Sequence, residues 1–464
     1  MTLRSGLSAI LRWVSLGAIT VVAACQAASA TPTTTSTAEP TVRPATASPT
    51  SALSAGSQGG LEGVSVEVWH PWYGVEAGLF ESQAAEFNKV NPWGISVRTT
   101  RQHNYAELYD NISSSLADGT GPDLAIGLPE YAIEWETRGQ VVDLTGYVGD
   151  SDYGLSPADV RDFPSVFWAQ DDVAGKRLGI PAERGATLLL YNSSWAEELG
   201  YSAAPKTAAQ LRQQACRAHM SFTGDSDRTN DAQGGWLIDP SSTTFLAWMG
   251  AFGGGVLEGD GYRFLTPKNL EALTFVKQLF DDGCAWSLPP GGDAAAAFAG
   301  RQALFATADL QDLPAFARAV ASAGMSDEWT VLAFPGTGQS GLTVYGSSYI
   351  ILKSTAERQL ASWLFVRWLL SAENQAKWVE ATGLFPLRSS EIPLLTSYQK
   401  SHPQWAAAID LISEGSIQPQ LASWREVRVM VGDGFDAMFR SNTPSGRVAE
   451  ILAIMQRAAS DLSK

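Results

Sequence analysis

Histidine and cysteine are scarce in this chain, with four and three in 464 residues. His70, His103, His219 and His402 lie far apart, and none belongs to a His-x-x-x-His pair. Cys216 and Cys284 lie far apart and neither has a second cysteine at ligand spacing, so no metal site is expected. Walker-type loops are absent, and no Gly-x-Ser-x-Gly elbow precedes a helix, which argues against a phosphate-loop enzyme and a serine hydrolase. Gly336-Thr-Gly338-Gln-Ser-Gly341 matches Gly-x-Gly-x-x-Gly, but Pro335 precedes it and strand-like residues follow. A dinucleotide loop runs from a strand into a helix, so this one reads as a surface turn and no cofactor is expected. Acids are numerous, yet nothing marks two of them as a glycoside-hydrolysing pair. Basic residues are also in short supply, 32 Lys and Arg against 48 Asp and Glu, for a net charge of −16. Such an acidic surface argues against nucleic acid and anionic headgroups as partners.

The N-terminus carries the most information. Arg4 and Arg12 precede a short apolar run, Val14 to Ala23, that is too short for an ordinary membrane span. The run ends in Val22-Ala23-Ala24-Cys25, which resembles the bacterial lipobox, whose cysteine is acylated and becomes the new N-terminus; the alternative is a plain secretory signal. Residues 1–24 are therefore expected to be a lipoprotein signal peptide. Residues 25–61, rich in Thr, Pro, Ser and Ala, are expected to be a disordered tether, because they bury too little apolar surface to offset ordering entropy. No later segment is apolar enough to cross a membrane, so the protein is expected to be exported and held by acyl chains at the outer face of the cytoplasmic membrane. Two of the 32 basic residues and none of the 48 acids precede Cys25, which leaves 30 against 48 and a charge of −18. With Cys25 lipidated, Cys216 and Cys284 are an even pair in an oxidising compartment and are expected to form a disulfide, two buried thiols being the alternative.

Roughly 400 residues follow the tether, enough for one large or two medium domains. Val64-Ser-Val-Glu-Val68 alternates as a strand does, and Leu79, Phe80, Ala84, Phe87 and Val90 share a helical face that Pro92 ends. Ile95 to Val97 is a second strand, Asn104 with Glu107 marks a helix start, and Asp123 to Gly127 is a buried strand. Leu188 to Tyr191 and Tyr349 to Leu352 are strand-like, and Thr266 caps a helix with Pro267 in its first turn. Alternating strands and helices imply an α/β fold with a mainly parallel sheet.

The first strand runs into Trp69-His-Pro-Trp72-Tyr73, at a strand end where open α/β sheets bind ligands. Aromatic rings there offer a platform for sugar C–H faces, while amides, hydroxyls and carboxylates bind sugar hydroxyls. The alternative is that these rings are core, as most of the 16 tryptophans must be.

Several motifs then occur in order: Trp69-His70; Glu86-Phe87-Asn88 with Asn91-Pro92; Gly119-Thr-Gly-Pro-Asp123; Gly175-Lys-Arg-Leu-Gly-Ile-Pro181 with Leu190-Tyr-Asn192; Phe298-Ala-Gly-Arg-Gln-Ala303; Gly346 to Leu352; Ser371-Ala-Glu-Asn-Gln375; and Gly383-Leu-Phe-Pro386. In these the chain resembles the family 1 extracellular solute-binding proteins, the substrate-binding lipoproteins of ABC sugar importers related to maltose-binding protein. The resemblance implies a two-lobed, type II periplasmic-binding-protein-like fold with a hinge of three crossover segments. It places residues 62–182 plus 308–353 in the N-terminal lobe and 183–307 plus 354–464 in the C-terminal lobe. To Trp69, Trp72 and Tyr73 of that strand end, carry-over by motif adds the ligand-binding candidates Glu130, Tyr131, Glu183, Arg184, Trp248, Thr307, Asp309, Tyr345, Ser347 and Ser348. Exposed charge is the alternative for Glu130 and Glu183, and a salt bridge for Arg184.

The resemblance implies a monomeric binding protein without catalytic residues or cofactor, delivering a mono- or oligosaccharide to ABC permease subunits. The rivals are an exported carbohydrate-active enzyme, the same fold taking glycerol phosphate or another small anion through Arg184, and the same fold serving a sensor kinase.

Overall fold

The computed structural model describes residues 60–464 apart from Ser441. The signal peptide, Cys25 and nearly all of the tether lie outside the described residues. The folded chain starts slightly earlier than the expected boundary, because Leu61 is fully buried in the core. No helix among the described residues is long and apolar enough to cross a membrane.

Two main sheets form the molecule. The first has five strands in the order Ser96–Arg101, Ser65–His70, Leu124–Gly127, Ser348–Ile351 and Ile180–Pro181. The first three are parallel, Val66 facing Val97 and Val68 facing Leu124, as strands joined through helices must be. Ser348–Ile351 runs antiparallel to its neighbours on both sides. The helix Gly74–Val90 buries Phe80, Ala84 and Phe87, the face that the sequence periodicity marks. The helix Tyr105–Ala117 is capped by Asn104, whose side-chain oxygen accepts from the Glu107 N–H at 2.8 Å.

The second sheet is mainly antiparallel and centres on Gly185–Asn192, all eight residues of which are buried. Alternation splits its side chains: Ala186, Leu188 and Leu190 enter one core, and Leu189 and Tyr191 enter the other. Phe305–Asp309, Trp329–Leu332 and Ser340–Tyr345 all pair with it. The Gly-x-Gly-x-x-Gly run links Phe334–Pro335 to Ser340–Tyr345, two strands that pair antiparallel, which is a turn and not a nucleotide loop. Thr266 caps the helix Pro267–Asp281 as expected, accepting from Asn269 N–H at 3.1 Å.

The sheets divide the chain differently from the expected lobes. Of residues 308–353, Trp329–Leu332 and Ser340–Tyr345 lie in the second sheet, and only Ser348–Ile351 reaches the first. Of residues 354–464, the helices Ala356–Leu369 and Ala372–Thr382 pack on the first sheet and its helix Gly74–Val90, while Gly415–Ser416 pairs with Ser340–Tyr345 of the second. Partner choice between strands far apart in sequence decides these placements, and local pattern carries no record of it.

The first strand also extends to His70, so Trp69 and His70 belong to the sheet and not to a loop. His70 is fully buried against Phe80, with ring centroids 5.0 Å apart, and burial holds its pKa down at about 4.

Trp248 departs most from expectation. The helix Ser242–Ala251 is apolar almost all round, and Trp248 is fully buried in the second core. It meets Trp236 and Phe334 edge to face at 5.4 and 5.2 Å. It therefore supports packing and offers no face to a ligand. Trp248→Ala should cost about 3–5 kcal/mol of stability in urea unfolding, as for other buried aromatics, and leave the affinity of protein that still folds unchanged.

Cys216 and Cys284 form a disulfide with Cα atoms 4.4 Å apart, joining the helix Ala208–Thr223 to the start of the strand Ala285–Trp286. The bridge spans 68 residues of sequence. Loop-closure entropy for a ring of that size is worth roughly 4 kcal/mol. A non-reduced digest should give the linked peptides by mass spectrometry, and reduction should lower the melting temperature.

Candidate functional site

A cavity of about 640 Å³ lies between the two sheets. Its first wall comes from segments that leave the carboxyl ends of first-sheet strands: Asn104 and Tyr105 after Ser96–Arg101, Pro129 and Glu130 after Leu124–Gly127, and Glu183 after Ile180–Pro181. The second wall comes from Asp309 and Tyr345 at strand ends and from Ser242 and Thr243 at a helix start. Arg428, from the helix Trp424–Met438, completes the lining.

Two crossover segments form the floor, residues 181–185 and 345–348, and they approach closely at a glycine. Gly346 has φ +140°, and a Cβ there would fall 2.2 Å from the carbonyl oxygen of Glu183. Arg184 is fully buried between the segments and pairs with Asp171 at 2.6 Å. Its guanidinium also donates to the carbonyls of Glu183 and Ser347 at 2.8 and 2.6 Å and to Ser348 Oγ at 3.1 Å. Ser348 Oγ donates in turn to Asp171 at 2.6 Å. The salt-bridge reading of Arg184 therefore holds, and its guanidinium is not free to receive an anion.

Glu183 is the best-supported carboxylate on the wall. It accepts from Trp72 Nε1 at 3.1 Å, Tyr105 Oη at 2.8 Å and Ser347 Oγ at 2.9 Å. Burial and the Glu183 charge together push the Tyr105 hydroxyl well above its usual pKa, so Tyr105 stays a donor. They also raise the nearby Glu76 carboxyl. Across the cavity, burial and the charges of Asp312 and Asp239 lift Asp309 to about 7, against the pull of its hydrogen bond from Thr187 at 2.7 Å. Near neutrality Asp309 can thus accept a hydrogen bond or donate one. Burial raises Glu130 too, more than its ion pair with Arg428 at 3.1 Å lowers it.

Of the sequence candidates, Glu130, Glu183, Arg184, Asp309 and Tyr345 line this cavity. Ser347 and Ser348 sit behind the wall and hold Glu183, Arg184 and Asp171. Trp72 is buried against Trp378 at 4.5 Å and reaches the site only through its bond to Glu183. Tyr73 is 70% exposed beside it. Trp69 and Tyr131 pack in a small core with Trp135, and Thr307 accepts from Trp236 Nε1 at 2.9 Å inside the second core. The rings that do line the cavity are Tyr105 and Tyr345. Sequence reasoning missed Tyr105 and Arg428. The first follows directly after a helix cap at a strand end, a usable signal. The second sits on a C-terminal helix with no local mark.

A second hollow, of about 760 Å³, is lined chiefly by aliphatic groups such as Val166, Ile392, Ile409 and Ile412. Its arginine, Arg388, is tied to Asp162 at 2.8 Å. It lacks the converging carboxylates and hydroxyls of the inter-sheet cavity. Among the described residues no group of three or more His, Cys, Asp or Glu is placed to hold a metal ion.

The fold is that of solved binding proteins. The cyclic alpha-maltosyl-1,6-maltose binding protein of Arthrobacter globiformis is 18% identical, with a TM-score of 0.72 over 86% of this chain and 99% of its own. The sugar-binding protein MalE of Xanthomonas citri is 20% identical, with a TM-score of 0.73 over 86% and 97%. UgpB of Mycobacterium tuberculosis, solved with glycerophosphocholine, is 15% identical, with a TM-score of 0.66 over 86% and 98%. At these identities the likeness establishes the two-lobed α/β fold. No curated protein sequence matches the chain. A profile of the bacterial extracellular solute-binding proteins does match, over residues 82–408. With that match across most of its folded length, the chain belongs to the bacterial extracellular solute-binding protein family.

Proposed function

We propose that this protein captures a carbohydrate in the inter-sheet cavity and delivers it to the permease of an ABC importer. The family binds solutes outside the cell, which implies export, and its members are binding proteins and not enzymes. One observation carries the choice of ligand: the cavity offers carboxylates and hydroxyls held in place by buried hydrogen bonds, while of its two arginines Arg184 is enclosed by Asp171 and main-chain carbonyls and Arg428 lies beside Glu130. Such walls suit neutral polyols, whose hydroxyls donate to Glu183, Asp309 and the Tyr105 oxygen and accept from the Tyr345 hydroxyl. They disfavour a ligand whose main feature is negative charge. Maltosyl-maltose and MalE-type binders among the structural neighbours agree with this reading. The expected stacking is narrower than the sequence suggested, because Tyr105 and Tyr345 take the place of Trp72 and Trp248 on the walls.

Titration calorimetry with maltose, maltotriose, common monosaccharides and glycerophosphocholine tests the assignment. A sugar should bind one to one without turnover, and at 100 times its dissociation constant should stabilise the fold by about 2.7 kcal/mol. The Tyr345 hydroxyl is buried and has no hydrogen-bond partner within the protein, so Tyr345→Phe should leave the ligand-free melting temperature unchanged. If that hydroxyl serves the ligand, affinity should fall roughly 2- to 10-fold, the worth of one neutral hydrogen bond. Binding of glycerophosphocholine alone, or hydrolysis of the sugar, would refute the proposal.

Anchoring through Cys25 completes the reading, and its support is the lipobox-like run followed by the Thr/Pro/Ser-rich segment. Cys25→Ala should abolish palmitate labelling and signal cleavage by lipoprotein signal peptidase. Labelling that persists in the variant would exclude the anchor.

A further inference from the structure

Two ion pairs join the halves of the molecule at the cavity wall and just outside it. The helix Pro129–Thr137 follows a first-sheet strand, and Glu130 and Glu134 lie one turn apart on it. The helix Trp424–Met438 packs on Ser242–Ala251 and Val448–Leu462 beside the second sheet, and presents Arg425 and Arg428, also one turn apart. The pairs match in antiparallel order: Glu130 with Arg428 at 3.1 Å and Glu134 with Arg425 at 3.6 Å. Glu130 and Arg428 line the cavity, whereas Glu134 and Arg425 do not.

The outer pair is built into a larger contact. Arg425 lies over the ring of Tyr109 with its Cζ 4.0 Å from the centroid, and the Tyr109 hydroxyl donates to Glu134. Tyr109 belongs to the helix Tyr105–Ala117 on the first sheet, so a guanidinium from one half is held between a ring and a carboxylate of the other. Each arm also has a same-helix competitor: Arg138 is 3.9 Å from Glu134, and Glu426 pairs with Arg425. These give the charges somewhere to go when the halves part, which makes the contact reversible.

We propose that Glu130–Arg428 and Glu134–Arg425 form a two-rung charge latch that holds the halves closed, so that Glu134 and Arg425 set ligand affinity without touching the ligand. Apparent affinity scales with the fraction of protein in the binding-competent closed state, and the latch raises that fraction. The proposal rests on the reading of the inter-sheet cavity as the ligand site. Partial burial strengthens the pairs relative to surface ones, and salt weakens them.

The test uses the full chain and the variants Glu134→Gln, Arg425→Gln and the double variant. Small-angle scattering at low salt should show a larger radius of gyration for each single variant, and high salt should expand the wild type while changing the variants less. With maltotriose as probe, each single variant should bind roughly 3- to 10-fold more weakly, with no matching loss of melting temperature. The double variant should be no worse than either single, because the two groups act through one contact. Radii equal to wild type in both singles, or additive losses in the double, would overturn the latch. If wild type ignores maltotriose, the carbohydrate reading fails at that point, and the radii alone still decide the latch.

Discussion

A single buried guanidinium organises the centre of this protein. Arg184 has no exposed surface, and its ionised side chain is tolerable there only because Asp171 lies 2.6 Å away and carbonyl and hydroxyl oxygens take further N–H groups. Those acceptors come from both crossover segments. The arginine therefore fixes the two strands against each other where the chain passes between sheets. Replacing either partner would leave an uncompensated charge, which in comparable interiors costs about 3–5 kcal/mol.

That constraint reaches the cavity through Glu183, the next residue. Its carboxylate faces the ligand space, while its main chain is clamped by Arg184 and by the close approach of Gly346. Three donors then fix the carboxylate itself. A site whose polar groups are already oriented loses little entropy when it meets a ligand. Trp72 takes part in this support. It packs against Trp378 and Phe80 and gives its N–H to Glu183, so the aromatic cluster at the end of the first strand shapes the site from behind.

The opposite wall works by burial. Burial, with a smaller push from the charges of Asp312 and Asp239, lifts Asp309 to about 7, and burial raises Asp312 as well. With Arg184 enclosed and Arg428 beside Glu130, these walls suit the neutral, hydroxyl-rich solute proposed above. The latch residues add a contact between helices of the two halves that touches the cavity only at Glu130 and Arg428.

Much of this was legible in the chain itself. Period-two and period-3.6 patterns located the strands Ser65–His70 and Leu124–Gly127 and the helix Gly74–Val90, and Thr266 and Asn104 marked caps that form as expected. These are local consequences of side-chain alternation and of backbone groups seeking partners, so sequence alone determines them. The pair of cysteines left once Cys25 is set aside foretold the disulfide, and the order of motifs foretold the family and the two-lobed fold. The tertiary structure alone decided which strands share a sheet, and so moved Trp329–Leu332 and Ser340–Tyr345 from the expected first lobe to the second sheet. It alone separated Trp248, enclosed by Trp236 and Phe334, from Tyr345, which reaches the cavity. It alone brought Arg428 to Glu130 across some three hundred residues. An aromatic or charged residue has the same local signature in a core, an ion pair or a binding wall. What distinguishes them is the set of atoms that packing places around it, and those atoms come from distant parts of the chain.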